Sequence, residues 1–266
     1  MEQTEYGEAA LPEGRTRRGA AASRRLSIRA WLATRTMTAL LLGLLTVVLL
    51  TVTARAAGLT WDEPAYIAAS QSYVEWFGEL ATHPGSALSA QGVQQSWELN
   101  HEHPPLDKIW SGFVWLLARP VFDDLTAHRL GNILLVGTLV ALLYWQVSVE
   151  FGPIAGLASV GALLAMPRFF FHAHLAALDV PTAVTMFAVV FLFWRSFRRP
   201  GWQWSLVLGI AWGLALATKI NAIFVMPVLG LWTLIFHRRW YLIWRLVAMG
   251  LIGGVLWLLL WPWLYH

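Results

Sequence analysis

Apolar and polar positions divide this chain into long uncharged runs that are separated by segments with charged residues. The runs that compare with a membrane-spanning helix are 37–54, 130–149, 151–167, 180–194, 200–218, 220–236 and 246–265. A spanning helix needs roughly 17–25 predominantly apolar residues, and only 180–194 is shorter unless its helix includes neighbouring residues. The pattern predicts an all-α, polytopic membrane helix bundle with about seven transmembrane helices.

The amino-terminal segment lacks this pattern. Residues 1–35 begin acidic and then become strongly basic, which predicts a disordered basic cytoplasmic tail. These arginines would hold the start of 37–54 in the cytoplasm, so we predict that this run is a signal anchor. An alternative stays open, because Ser-Arg-Arg-Leu at 23–26 resembles a twin-arginine export signal and Ala-Arg-Ala at 54–56 would then be its cleavage site.

The orientation of the later helices depends on 106–122, a run that is apolar but short and charged at its start. If this run crosses the membrane, the basic clusters at 195–199 and 237–239 fall outside. If it stays on the outer surface, both clusters fall inside, as the positive-inside rule requires. We therefore predict that 106–122 is an interfacial or re-entrant helix on the outer face.

This orientation brings the polar segments of the chain to one face. The predicted transmembrane domain covers 36–266, with a first outer loop at 61–128 that contains interfacial helices and a second outer loop at 168–179. Lys219 and the carboxyl-terminal residues 263–266 reach the same face. We therefore expect one polar site at the outer membrane surface.

Composition supports a membrane protein and excludes several other classes. The chain is 58% hydrophobic and 13% charged, with a mean hydropathy of +0.56, whereas a soluble domain has about 25% charged residues. It contains no cysteine, which excludes disulfides, thiolate catalysis and cysteine-ligated metals. The high isoelectric point of about 9.8 is explained by arginines at cytoplasmic helix ends rather than by nucleic-acid binding.

The first candidate cluster is the acidic pair Asp62-Glu63, which stands between Trp61 and Pro64. Acids and a proline at the start of a helix are ordinary features of a helix amino terminus, and that interpretation stays open. The functional interpretation is a carboxylate at a partly dry interface, where desolvation would raise its pKa and make it a better base. Residues 65–80 have the spacing of an amphipathic helix on the membrane surface.

The second candidate cluster ends the first outer loop. His101, Glu102 and His103 precede two prolines, and Lys108 follows. The prolines favour an extended backbone, in which the two histidines point to the same side, so a metal site stays open although the spacing is not that of a zinc helix. Lys108 at the membrane surface either extends its ammonium group into water or neutralises a phosphate.

The third candidate cluster is the second outer loop, which places Arg168, His172, His174 and Asp179 between apolar runs. Ionisable residues at a membrane edge are costly unless they meet water, one another or a ligand, so they are candidates for function. The alternative is interfacial anchoring, with Asp179 as a helix cap.

These clusters, in this order, resemble the dolichyl-phosphate-mannose–protein mannosyltransferases and their bacterial relatives, and more distantly the lipid A aminoarabinose transferases. The resemblance is carried by Asp-Glu at 62–63, His-Pro-Pro-Leu-x-Lys at 103–108, His-x-x-x-x-Asp at 174–179 and Gly-Leu-Ala-Leu-Ala-Thr-Lys at 213–219. It covers about residues 37–266. The histidine–proline element is the most specific of these motifs.

The resemblance implies a GT-C membrane glycosyltransferase of the cell (plasma) membrane. Such an enzyme transfers a sugar, expected to be mannose or another hexose, from a polyprenyl phosphate to a hydroxyl on protein, lipid or glycan. It acts with inversion on the extracytoplasmic face. No cofactor is expected, because cationic side chains can stabilise the phosphate charge that develops, although a divalent cation stays open.

The resemblance also implies roles for single residues. By match to the motifs, Asp62 is the catalytic base, Glu63 shapes the acceptor site beside it, and Lys108 binds the donor phosphate. Asp179 matches the acidic residue of the second outer loop.

Charge and predicted face add further candidates to these motif residues. We place His103, Arg129 and Lys219 with Lys108 at the donor phosphate. His174 and His172 join Asp179 in the second outer loop. No metal ligand is assigned.

Members of this family usually continue well beyond a seventh span. The chain is therefore expected to be a truncated product, a fragment or half of a split protein, with membrane lipid and a second membrane subunit as expected partners. Two alternatives stay open for its function: a transporter or flippase, and a non-catalytic subunit of a membrane glycosylation complex.

Overall fold

The computed structural model describes residues 13–197, 199, 201–237 and 239–265, with side chains from Trp31 onward. Its helices are α1 (Glu13–Thr53), α2 (Glu63–Thr82), α3 (Pro84–Ala87), α4 (Ala90–Trp97), α5 (Leu106–Ala118), α6 (Asp124–Phe151), α7 (Pro153–Ala165), α8 (Pro167–His172), α9 (Asp179–Ser196), α10 (Gln203–Thr218), α11 (Val225–Phe236) and α12 (Trp240–Leu259). Short 3-10 segments cover Ala54–Ala57, Ile220–Phe224 and Pro262–Tyr265. No strand occurs in the described ranges, which confirms the predicted all-α class.

Apolar helices lie where the hydrophobic runs predict them. The segments long and apolar enough to cross a membrane are Trp31–Ala57, Asp124–Phe151, Asp179–Ser196 and Trp240–Leu259. Shorter apolar helices cover Pro153–Ala165, Gln203–Thr218 and Ile220–Phe236. A membrane helix satisfies its backbone hydrogen bonds within its own segment, so each apolar run can form one such element independently. The chain is a multi-pass membrane protein.

Two helix pairs approach closely through glycine. A Cβ on Gly43 of α1 would lie 2.7 Å from the carbonyl oxygen of Gly137 in α6, and a Cβ on Gly213 of α10 would lie 2.8 Å from that of Gly253 in α12. Small residues let backbones meet in membrane bundles, where packing rather than the hydrophobic effect holds helices together. The α1–α6 pair continues into α7 and the first turns of α9, and the α10–α12 pair packs with α9 and α11.

The segment predicted to be the first outer loop has a hydrophobic cluster of its own. Its core is aromatic: Tyr73 stacks on Trp97 at 4.4 Å between ring centroids, and the Trp76 indole donates a 2.8 Å hydrogen bond to the Ala87 carbonyl. Helix α5 lies against both α2 and α6. With 13 residues, α5 is shorter than a spanning helix, and its interfacial or re-entrant position stays a prediction.

Some predicted features concern the amino-terminal tail and residues outside the described ranges. Helix α1 begins at Glu13, inside the stretch predicted to be a disordered tail, and the domain boundaries at 1–35 and 36–266 stay predictions. Residues 1–12 lie outside the described residues, as do Arg198 and Arg238 of the two basic clusters and His266 at the carboxyl terminus.

Candidate functional site

A buried ion pair between Glu63 and Arg129 supports the site. Both side chains are fully buried, and Glu63 at the start of α2 meets Arg129 of α6 in two hydrogen bonds of 2.7 Å, from Nε to Oε1 and from Nη2 to Oε2. Arg129 also donates to the carbonyl of Ala54 at 2.6 Å and to that of Gly58. The pair therefore holds the end of α1 against α2 and α6.

The Glu63 carboxylate is further bound by neutral donors. Oε2 accepts from the amide and the hydroxyl of Thr60 at 2.9 and 3.0 Å, and Oε1 accepts from the amide of Ala176 at 3.0 Å. Burial by itself would raise the pKa of Glu63, but these hydrogen bonds and those from Arg129 outweigh it and hold the pKa below its ordinary value. Glu63 is an ionised structural carboxylate.

This geometry differs from two expectations. Arg129 was expected at the donor phosphate, but its guanidinium is fully buried and makes four hydrogen bonds within the fold. Glu63 was expected to shape the acceptor site, and its carboxylate is closed to solvent and bound at the start of α2.

Asp62 is the accessible member of the acidic pair. It is the residue that precedes α2, it is exposed, and its side chain makes no capping hydrogen bond. The structure gives its carboxylate no hydrogen bond or ion pair with any described residue. Because Glu63 is anchored through five hydrogen bonds, its neighbour Asp62 is held at a defined place with both carboxylate oxygens open to a ligand.

Lys108 closes the loop that carries the histidines. The residue is buried, and its ammonium group donates to the carbonyls of Asn100 and His103 at 2.6 and 2.8 Å and to the side-chain oxygen of Asn100 at 3.1 Å. Asn100 has φ of 54°, a left-handed conformation that asparagine tolerates better than most residues. The Lys108 ammonium thus makes three hydrogen bonds within its own loop and is buried rather than free at the surface.

Lys108 and its neighbour Asp107 have strongly shifted pKa values. Burial raises the pKa of Asp107 to about 7 against the opposing effect of the Lys108 charge, and burial lowers the pKa of Lys108 to about 7 against the charges of Glu102 and Asp107. Oδ1 of Asp107 has no hydrogen-bond partner among the described residues. Sequence reasoning missed Asp107, since the unnamed position in His-Pro-Pro-Leu-x-Lys carries no signal of its own.

Asp179 and Lys219 meet across two helices. Asp179 begins α9 and Lys219 follows α10, and the lysine Nζ lies 3.0 Å from Oδ1 of the aspartate. His172 approaches from the end of α8, with Nδ1 3.5 Å from Oδ2 of Asp179. The Lys219 side chain is 26% exposed and that of Asp179 is 59% exposed. This ion pair is open to solvent, unlike that of Arg129.

His103 and Tyr66 connect the first loop to this pair. Their rings lie 6.1 Å apart. Burial lowers the pKa of His103, assisted by the charges of Lys108 and Lys219 and opposed by those of Glu102 and Asp62. Tyr66 is one helical turn beyond Asp62 and its amide donates to the Asp62 carbonyl at 3.3 Å, so His103 lies beside the turn that Asp62 begins.

The pKa of Tyr66 is also shifted by acids from both predicted outer loops. Burial raises this pKa to about 12, and the charges of Asp62 and Asp179 are the next contributors. The two predicted loops also meet directly, because the amide of Ala176, three residues before Asp179, donates at 3.0 Å to Glu63, the neighbour of Asp62. The structure brings together the acids that the two motifs placed more than a hundred residues apart.

A groove of about 340 Å³ opens beside Asp179. Arg168 and His172 line it together with Asp179, and its other walls are the apolar side chains of Met166, Phe169, Val180 and Ala183. Arg168 is exposed and makes no ion pair with a described residue. The groove thus combines an available cation with apolar walls.

His174 does not face this groove. It is buried, with Nδ1 2.8 Å from the carbonyl of Phe170 and Nε2 2.8 Å from the Thr53 hydroxyl. The carbonyl can only accept, so Nδ1 carries a proton and the ring fastens the second outer loop to the end of α1.

No group of three or more His, Asp or Glu side chains that could hold a metal ion occurs among the described residues. The two histidines of the first loop diverge: His101 stacks on Trp263 at 4.4 Å, whereas His103 faces Tyr66. Near Asp179, Lys219 and Arg168 are the described cations that lie at the surface and could meet an anionic ligand.

The comparisons with known proteins give one match. A family model described as dolichyl-phosphate-mannose-protein mannosyltransferase matches residues 102–266, which is more than half of the chain. No curated protein and no solved structure matches it. The matched range includes His103, Asp179 and Lys219, and it begins after Asp62.

Proposed function

Because this chain belongs to the dolichyl-phosphate-mannose-protein mannosyltransferase family, and is thus a membrane glycosyltransferase of the GT-C type, we propose that it transfers a sugar from a polyprenyl phosphate to a hydroxyl acceptor. The expected sugar is mannose or another hexose. The acceptor is a hydroxyl on protein, lipid or glycan. The reaction takes place on the extracytoplasmic face of the plasma membrane.

In the proposed reaction the acceptor oxygen attacks the anomeric carbon from the side opposite the phosphate. The bond between that carbon and the phosphate oxygen breaks, and the polyprenyl phosphate leaves with the electron pair, so the configuration inverts. Asp62 takes the hydroxyl proton. A positioned base typically contributes about 10²–10⁴-fold, and Asp62 suits this role because its carboxylate is exposed and unpaired.

Charge on the leaving phosphate is stabilised by Lys219 and Arg168. Cations aimed at developing charge are usually the largest single contribution to catalysis. Asp179 holds the Lys219 ammonium at 3.0 Å, and Arg168 stands at the mouth of an apolar groove that suits the first prenyl units of the lipid. In this proposal Lys108 and Arg129 hold the loops and do not touch the donor.

The observation that carries the proposal is the convergence of the two outer loops. The amide of Ala176 donates at 3.0 Å to Glu63, the neighbour of Asp62, and Lys219 and His172 both approach Asp179. A base and a phosphate-binding cation must lie on opposite sides of one sugar ring, and this arrangement supports such a site. A flippase would instead be expected to concentrate its polar residues near the midplane of the membrane.

Asp62→Asn tests the proposed base. The variant should fold as the wild type does, and its rate of sugar transfer from a polyprenyl-phosphate hexose in detergent micelles should fall at least about 10²-fold. Glu75→Gln is the matched control, since Glu75 is an exposed acid on the same helix. Unchanged turnover in Asp62→Asn would remove Asp62 from the mechanism.

Lys219→Met tests the donor site separately from the base. Retention of polyprenyl-phosphate hexose during purification, measured by mass spectrometry of extracted lipid, should fall in Lys219→Met and stay at the wild-type level in Asp62→Asn. Equal retention in Lys219→Met and wild type would contradict the proposed role of Lys219.

A further inference from the structure

A second polar pocket lies at the opposite ends of the helices that carry the proposed donor site. Helix α9 begins at Asp179 and has 18 residues, so its last turn lies about 25 Å from its first. At that end, a pocket of about 400 Å³ opens between the ends of α6, α9 and α11 and the start of α12. The pocket is therefore separate from the region around Asp62 and Lys219.

The charge of this pocket is mainly positive. Arg195, Arg199 and Arg239 line it together with His237, and the one acid among its lining residues is Glu150. None of the three arginines lies within ion-pair distance of a carboxylate in the described part of the chain. Three guanidinium groups with one acid near them leave an excess of positive charge.

Aromatic rings orient these guanidinium groups. Arg195 lies 4.7 Å above the ring of Trp145, Arg199 lies 5.7 Å above that of Trp204, and Arg239 lies 5.7 Å from the centroid of Phe197. A guanidinium that stacks by its face keeps its N–H groups at the edge, where they match the geometry of a phosphate. Arg239 donates to the Tyr241 hydroxyl at 3.5 Å, whereas the side chains of Arg195 and Arg199 have no hydrogen-bond partner among the described residues.

Helix α12 fixes the backbone at the end of α9, which forms one side of the pocket. Arg245 of α12 is buried and donates to the carbonyl of Ser196 at 2.7 Å and to those of Arg199 and Gly201 at 3.1 and 3.3 Å. The Tyr241 hydroxyl donates to the carbonyl of Phe197 at 2.7 Å. These bonds hold the end of α9 to α12 before any ligand binds, which lowers the entropy cost of binding.

Exposed tryptophans lie at the same ends of the helices as this pocket. Trp194, Trp202, Trp240 and Trp244 are all at least half exposed, and tryptophan collects where lipid head groups meet the hydrocarbon. Trp194 is itself part of the pocket wall, as is Trp232. The arginines therefore lie at head-group depth beside surfaces that suit a glycerol backbone and the first acyl carbons.

We propose that this pocket binds the phosphate head group of an anionic phospholipid, in the leaflet opposite the proposed donor site. Under the predicted orientation this is the cytoplasmic leaflet. Basic pockets between transmembrane helices on that side are known to hold anionic head groups. Because the lipid would touch the ends of α9 and α12 together, it would reinforce the hydrogen bonds from Arg245 and Tyr241 that already hold these two helix ends to each other. The proposal does not depend on the glycosyltransferase reaction.

Native mass spectrometry of the full-length, delipidated protein in detergent tests the proposal, with phosphatidylglycerol as the probe. We expect retention of phosphatidylglycerol over phosphatidylcholine of matched chain length. Each arginine near an anionic lipid surface contributes about fivefold in affinity, so Arg195→Gln/Arg199→Gln should weaken retention by roughly 25-fold. Arg119→Gln is the matched control, since Arg119 stacks on Trp115 at 4.8 Å in the first loop.

A charge-preserving variant shows whether the arginines bind phosphate or only fix the orientation of the helices in the membrane. Lysine satisfies the positive-inside rule as well as arginine does, but it lacks the planar fork that binds phosphate in two bonds. Arg195→Lys/Arg199→Lys should therefore keep the wild-type orientation, measured by labelling a cysteine introduced at 90, and still lose several-fold in retention of phosphatidylglycerol.

Three results would overturn the proposal. One is equal retention of phosphatidylglycerol and phosphatidylcholine by the wild type. The second is wild-type retention of phosphatidylglycerol by the double lysine variant, which would leave the arginines with orientation as their function. The third is full displacement of the lipid by millimolar inorganic phosphate, which would make the pocket a site for a free anion.

Discussion

The ion pair between Glu63 and Arg129 yields the sharpest test of how the site is held. Arg129→Met removes the guanidinium and leaves the Glu63 carboxylate fully buried with only the donors of Thr60 and Ala176. Removing one partner of a buried pair costs about 3–5 kcal/mol, because the remaining charge is uncompensated. We expect Arg129→Met to lower the free energy of unfolding by this amount.

The reciprocal and double variants show whether the two residues act as one unit. Glu63→Gln leaves the Arg129 charge buried and should cost a similar amount. Glu63→Gln/Arg129→Met leaves no charge at all, so its cost should be smaller than the sum of the two single costs by about 3 kcal/mol, at the upper end of measured coupling energies. A buried pair is costly to break on one side only.

Equilibrium unfolding in mixed detergent and dodecyl sulfate micelles at pH 7, followed by circular dichroism, measures these differences. Arg55→Met is the control, since Arg55 pairs with Asp123 at 2.9 Å but with side chains 76% and 39% exposed. An exposed pair contributes at most about 1 kcal/mol. A coupled buried pair is refuted if Arg129→Met lowers the free energy of unfolding no more than Arg55→Met does. Simple additivity of the free-energy costs of Glu63→Gln and Arg129→Met would refute it as well.

The same pair predicts a pH dependence. The folded pKa of Glu63 lies below the ordinary value of 4.5, so its contribution to stability is present above about pH 4.5 and is lost as the pH falls through the folded pKa. The stability advantage of the wild type over Glu63→Gln should therefore be constant above that pH and shrink below it. An advantage that grew on acidification would contradict an ionised Glu63.

Two further predictions concern packing and a buried acid. Burial raises the pKa of Asp107 from 3.8 to about 7, so the stability that protonated Asp107 gives the wild type is complete below pH 3.8 and is lost as the pH rises to 7. Asp107→Asn should therefore gain thermal stability relative to the wild type as the pH rises from 5 to 8. A difference in stability that stayed constant over this range would contradict the raised pKa. A Cβ at position 213 would meet the backbone of Gly253, so Gly213→Ala should lower the melting temperature in detergent, whereas Gly161→Ala, which meets open space, should leave it unchanged or raise it.

The sequence was sufficient for the helices and the fold class. Runs such as 220–236 and 246–265 are apolar over a membrane thickness, and in lipid such a run must satisfy its backbone internally. The run 180–194 is short for a spanning helix, but the helix itself covers Asp179–Ser196 because it includes Asp179 at its start and Arg195 near its end. Local composition therefore predicted each of these elements without knowledge of its neighbours.

The candidate chemistry was predicted only as a set of motifs. The sequence indicated that acids and histidines gather at one face, and the structure does bring Asp62, His103 and Asp179 to one region. It could not indicate which cation is available. Lys108 and Lys219 are both lysines at predicted outer ends, yet the first is 1% exposed and binds its own loop, whereas the second is open to solvent.

What the sequence by itself determined is where the helices lie and which segments carry charge. What only the tertiary structure decided is the division of those charges between support and site. Asp62 and Glu63 are adjacent acids, but one turns inward to Arg129, a residue 66 positions away, and the other outward. The physical reason is that an ionised group's function depends on which partners and how much water surround it, and both are set by contacts between distant parts of the chain.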